Sequence, residues 1–143
     1  DVAALSLALL MLMLQPGAPC LYYGTEVGLE GGPEPACREA MPWEAPWPHD
    51  LRSMIVTLTN IRHQVVAVSE RGLSWQATTP DGLMGRAPGV VVVVNRSRRK
   101  ALSLEAHDVA QVGWETDGAL IGTYQEPRHA LGPQSAVLFK ARE

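Results

Sequence analysis

The residues of this chain best suited to chemistry crowd into one stretch, "GLEGGPEPACREAMPWE" from Gly28 to Glu44. It is a run of Gly, Pro and carboxylates that carries one arginine, Arg38, and one tryptophan, Trp43, with Trp47 just beyond. A carboxylate accepts hydrogen bonds and a guanidinium fork donates several at once. Glu34 and Arg38, four positions apart, therefore have two possible fates. They grip a polar ligand between them, or they pair with each other on the surface for well under about 1 kcal/mol.

Other chemistries find little support. Cys20 and Cys37 form no Cys-x-x-Cys pair and have no suitably spaced histidine, so no metal site is expected. If Cys20 opens a strand and Cys37 follows its far end, the strand alone separates them by roughly 15 Å, at about 3.3 Å per residue. A disulfide needs Cα atoms within about 7 Å, so two free thiols and a reducing, cytoplasmic compartment are expected. "GLEGGPEP" lacks the closing Gly-Lys-Ser/Thr of a phosphate loop, and no cofactor is implied. The net charge is −3, and the basic run stops at "RSRRK", Arg96 to Lys100, which reads as a solvated hairpin tip and not as a nucleic-acid surface. The apolar segment Ala3–Leu14 falls short of the about 20 residues that span a membrane. It also lacks a basic leader and an Ala-x-Ala cleavage site.

The elements that must hold the loop follow from periodicity. Asp1–Gln15 is apolar on nearly every face, which predicts a buried helix stopped by Pro16-Gly17. A chain opening inside such a helix suggests a cut edge. "APCLYYG" is an uninterrupted apolar run, expected to be a strand buried on both faces of a parallel sheet, with Tyr22 and Tyr23 in the core. A loop then runs to about Pro48, and loops of that length are usually functional when ordered. Leu51, Met54, Ile55, Leu58, Ile61, Val65 and Val68 recur at helical spacing from a cap at Asp50 or His49 to Arg71-Gly72. Beyond Gly72, "LSWQA", "GVVVVVN", "ALSLEA", "AQVGWET", "ALIGTY" and "SAVLFKA" alternate with the separators "PDG", "NRSRRK", "TDG" and "HALGPQ". Short strands at such spacing predict an antiparallel β-sandwich. The expected division is residues 1–72, α/β, and residues 73–143, all-β.

"PGAPCLYYGTEVG", Pro16 to Gly28, resembles the segment that ends the catalytic barrel of the alpha-amylase family of glycoside hydrolases, where Gly-x-Pro-x-x-Tyr-Tyr-Gly-x-Glu marks the eighth strand. The continuation to Glu44 resembles the neopullulanase, cyclomaltodextrinase and maltogenic amylase group, whose loop reads Gly-Gly-x-Asp-Pro-x-Cys-Arg-x-x-Met-x-Trp and then an acid. The resemblance implies that residues 1–72 are the last helix–strand–helix portion of a TIM (β/α)8 barrel, whose active-site groups sit on the loops leaving the strands' carboxyl ends. It implies that residues 73–143 are the C-terminal sandwich. It further implies hydrolysis of alpha-glucosidic bonds in maltooligosaccharides, cyclomaltodextrins or pullulan by two carboxylates. Those carboxylates belong to strands upstream of Asp1, so no catalytic residue is expected here and the chain alone is predicted inactive.

By the same resemblance Glu34 and Arg38 contact sugar hydroxyls on the non-reducing side of the cleavage point. Glu34 departs from the group's Asp by one methylene, which shifts the acceptor. Trp43 is read as anchoring the loop, with sugar stacking as the alternative, and Glu26 as bonding nearby backbone or arginine. Two competing readings are a free-standing carbohydrate-binding module on the sandwich, and another enzyme of the same family such as an alpha-1,6-glucosidase or a trehalose synthase. An unpaired strand edge and the apolar first helix lead to an expectation of self-association or a homo-oligomer.

Overall fold

The computed structural model of the chain describes residues 1–68, 72–104, 114–116, 118–125 and 130–141. Helix α1 (Val2–Met13) starts where expected, because the Asp1 side chain accepts from the Ala4 N–H. Its one polar interior residue, Ser6, donates its hydroxyl to the Val2 carbonyl and so stays satisfied while buried. Helix α2 (His49–Val68) lies against it and closes its other end. Arg62 donates to the Met13 carbonyl at 2.7 Å, to the Gln15 carbonyl at 2.8 Å and to the Gly17 carbonyl. The last carbonyls of a helix have no partner within it, and here a guanidinium from the neighbouring helix supplies one.

Between the helices the expected strand is not formed. Residues 18–22 run without a ladder partner among the described residues, and Tyr22 and Tyr23 are 60% and 43% exposed rather than buried. The reason is physical: an apolar run becomes a two-faced buried strand only between parallel neighbours, and the described residues hold none beside it.

Beyond Leu73 the chain is β-rich: β1 (Ser74–Ala77), β2 (Gly82–Ala87), β3 (Val90–Asn95), β4 (Leu102–Ser103), β5 (Trp114–Glu115), β6 (Ala119–Ile121), β7 (Tyr124–Gln125), β8 (Ala130–Leu131) and β9 (Ser135–Ala141). The larger sheet runs β1-β2-β3-β9-β5 with β6 also on β9, and the smaller runs β4-β8-β7, every pair antiparallel. The "RSRRK" segment connects β3 to β4 across the two sheets and is no hairpin tip. Ser97 within it is buried, and Arg96 donates to the Pro80 carbonyl at 2.8 Å.

The five valines of β3 explain the layering, since all are buried. Val90, Val92 and Val94, with Ala136 and Leu138 of β9, face Leu7, Leu10, Leu14, Leu51 and Leu58 of the helices. Val91 and Val93, with Val137 and Phe139, face Leu102 and Leu131 of the smaller sheet and Leu104 just beyond β4. The central strands therefore lie between two cores, and full burial of a valine contributes about 1.5–3 kcal/mol. Asn95 ends β3 at 1% exposure. Its amide donates to the carbonyls of Lys100, Leu131 and Gly132, and its Oδ1 accepts from the Ser97 N–H, so one side chain ties the larger sheet to the smaller. Gly122 makes the other crossing, from β6 to β7, with φ 72°; a Cβ there would stand 2.0 Å from Ser135 Oγ.

Candidate functional site

The loop carrying Glu34 and Arg38 grows from a tight base. Gly24 adopts φ 85° and starts a 3-10 turn, Thr25–Val27, closed by Gly28 at φ 71°. Leu29 folds back over Gly24: its N–H donates to the Gly24 carbonyl at 2.9 Å, and a Cβ on Gly24 would meet the Leu29 side chain at 2.8 Å. Val27 is buried, and this turn rests on α2, where Leu51 is also buried. Glu26 is half-buried in the turn, with no hydrogen bond or ion pair from its carboxylate among the described residues, so the expected tether is not seen.

From this base residues 30–40 project into solvent, every one of them exposed. Gly31 and Gly32 let the chain double back on itself, so that a Cβ at Gly32 would lie 3.2 Å from that of Ala36. A second 3-10 turn, Ala36–Arg38, places the arginine, and the Arg38 N–H donates to the Pro35 carbonyl at 3.0 Å. The structure brings the two predicted residues together: Arg38 Nη2 and Glu34 Oε1 form an ion pair, with side chains 66% and 67% exposed. Solvent screening leaves such a pair worth under about 1 kcal/mol, so either partner can exchange it for hydroxyl groups at little cost. The arrangement offers a paired acceptor and a forked donor on an open rim, which is recognition chemistry. The Glu34–Pro35 bond is cis.

The aromatic residues divide differently from expectation. Trp43 is 72% exposed, and its ring leans on Trp47, with centroids 5.6 Å apart. Trp47 is the anchored one, donating its indole N–H to the Pro42 carbonyl at 3.0 Å. Tyr22 and Tyr23 pair at 4.6 Å, and the Tyr23 hydroxyl donates to the Glu39 carbonyl at 3.1 Å. Desolvation, then the neighbouring Tyr23 and Cys37, push the Tyr22 phenol above its usual value. Cys20 and Cys37 are free and exposed, although the strand expected to separate them is not formed.

Sequence reasoning missed the roles of Arg62, Asn95 and Tyr23. Each acts on a backbone carbonyl distant in sequence, and no local spacing signals such a partner.

No protein-family model matches the chain. A cyclomaltodextrinase from Bacillus sp is 39% identical over 69 residues, 48% of this chain and 12% of that protein. An intracellular maltogenic amylase from Bacillus subtilis is 58% identical over 38 residues, 26% of this chain and 6% of that protein. Among solved structures, a cyclic alpha-maltosyl-(1→6)-maltose hydrolase from Arthrobacter globiformis superposes over 99% of this chain and 30% of its own, with a TM-score of 0.71 and 28% identity. The chain thus matches well under a third of the length of these curated relatives and about a third of the solved chain.

Proposed function

The chain being related to the alpha-amylase family of glycoside hydrolases through its neopullulanase, cyclomaltodextrinase and maltogenic amylase group, we propose that it is the carboxy-terminal portion of an alpha-glucan hydrolase. In this reading residues 1–72 complete a (β/α)8 barrel and residues 73–143 form its supporting sandwich. The loop from Gly28 to Pro48 stands on the barrel's active-site rim. Glu34 accepts from and Arg38 donates to hydroxyls of a maltooligosaccharide, cyclomaltodextrin or pullulan chain, while the carboxylates that break the glycosidic bond lie in the remainder of the enzyme. The pair of exposed thiols fits a reducing, cytoplasmic setting.

The observation that carries the proposal is the Glu34–Arg38 pair, held on an exposed loop beyond an apolar segment that has no strand partner among the described residues. An apolar segment left unpaired is explained by parallel neighbours supplied from elsewhere in the polypeptide. A loop rising from its end then faces the pocket that such a barrel surrounds.

The test is kinetic, in the intact enzyme. Arg38→Ala removes a forked, charge-assisted donor, worth about 1.5–3 kcal/mol where it binds. It should lower kcat/KM on maltooligosaccharides roughly 10- to 100-fold, chiefly through KM. Unaltered kinetics would remove Arg38 from the subsite and the loop from the reading.

A further inference from the structure

We infer that Tyr23 is a positioning residue for Arg38, fixing the backbone beside the guanidinium through the hydrogen bond from its hydroxyl to the Glu39 carbonyl. The inference rests on the reading of Arg38 as a substrate contact and adds what holds it in place.

The loop has little of its own to hold it. Residues 30–40 are all exposed, and the hydrogen bonds within them join near neighbours: Ala36 to Pro33, Arg38 to Pro35, and Arg38 to Glu34. Among the described residues, the hydrogen bond reaching residues 30–47 from outside the loop and its supporting turns is the one from Tyr23, sixteen positions before its acceptor. Without it an eleven-residue exposed excursion would place its guanidinium over a wide range of positions, and a ligand would have to order it on binding.

Tyr23 is suited to the task because its own position is fixed. The Tyr22 carbonyl accepts from the Thr25 N–H at 3.2 Å, and Gly24, locked under Leu29, follows immediately. The Tyr22 ring packs against the Tyr23 ring at 4.6 Å, limiting its rotation. Glu39 is the next residue after Arg38, so the anchor acts one residue from the group it steadies. On the other side Glu34 holds the guanidinium itself. The aromatic pair at the end of the apolar segment is thus the foot of a strut and the arginine stands at its head.

Two measurements on Tyr23→Phe, which keeps the ring and removes only the donor, test this. In the chain itself, tryptic scission of the Arg38–Glu39 bond, followed by mass spectrometry, should accelerate several-fold while the unfolding midpoint stays in place. In the intact enzyme, kcat/KM on maltooligosaccharides should fall about 3- to 10-fold, the scale of one neutral hydrogen bond, through KM and not kcat. Placed in an Arg38→Ala background, Tyr23→Phe should cost nothing further, because the strut would then hold no donor. An unchanged scission rate overturns the inference, as does a loss that adds fully to that of Arg38→Ala. Faster scission combined with an Arg38→Ala enzyme of normal kinetics would leave the strut standing and defeat the substrate reading instead.

Discussion

Asn95 shows how much one side chain decides in this molecule. Its amide faces three carbonyls from two segments, and its oxygen takes the Ser97 N–H, all at 1% exposure. Truncating it strips buried carbonyls of their donors, and unsatisfied buried groups cost more than the bonds themselves contribute. Asn95→Ala should lower unfolding stability by about 3 kcal/mol in urea denaturation, with several carbonyls left unpaired. A loss under about 1 kcal/mol would mean that water replaces the amide and the two sheets are joined by packing alone. Glu34 and Arg38 contrast with this. They stood out in the sequence because their types and their spacing in a Gly- and Pro-rich loop were unusual. Asn95 sat unremarked at the end of "VVVVVN", since nothing nearby indicates which carbonyls will come to it.

At the scale of elements, the two helices were legible from their apolar residues, whereas the cap that Asp1 supplies to α1 was not. Three of the runs read as strands, "LSWQA", "GVVVVVN" and "SAVLFKA", were legible as short β-rich stretches between turn signals. Strand β2, "GLMGRA", was not. Two glycines and an arginine lower its β propensity, yet Gly85 is there because the Trp75 ring on the paired strand lies over it: a Cβ would meet that ring at 3.0 Å. Strand β8 hid within an expected separator, and "ALIGTY" split into two strands at Gly122, where the chain changes sheets. Parts of "ALSLEA" and "AQVGWET" lie outside the described residues. The packing of α2 on α1 was legible only as two apolar faces. The polar tie between them, Arg62, looked like an ordinary solvated residue. Arg62→Ala should cost about 2 kcal/mol, since it frees three carbonyls at the end of α1. Arg62→Lys should restore less than half, because an ammonium lacks the fork that spans them. Equal stability of the Lys variant and the parent in thermal unfolding would show that charge alone suffices.

At the scale of the whole molecule, two continuous apolar runs had opposite outcomes. "GVVVVVN" found a paired strand on each side and a core on each face, while "CLYYG" has no strand partner among the described residues, and Leu21 packs against the helix-side core with both tyrosines left exposed. Hydrophobic pattern states that a segment can be buried; the neighbours present decide whether it is. The surface left over is considerable for a chain of this size, with Val2 at 64% exposure, Val56 at 56% and Tyr22 at 60%. A groove beside α1, where Ala4, Leu7, Ala8, Met11 and Val94 meet Arg96, Arg98 and Gln134, adds apolar surface to it. Exposed apolar surface of this kind favours association. Residues 18–21, without a ladder partner among the described residues, offer backbone for pairing as well. The isolated chain should therefore self-associate, its weight-average mass in sedimentation velocity rising with protein concentration. Val2→Lys with Val56→Lys, both at exposed positions, should shift that rise to higher concentration without altering the unfolding midpoint. A single monomeric boundary at every concentration would show that the open apolar segment is too well hydrated, or too mobile, to drive association.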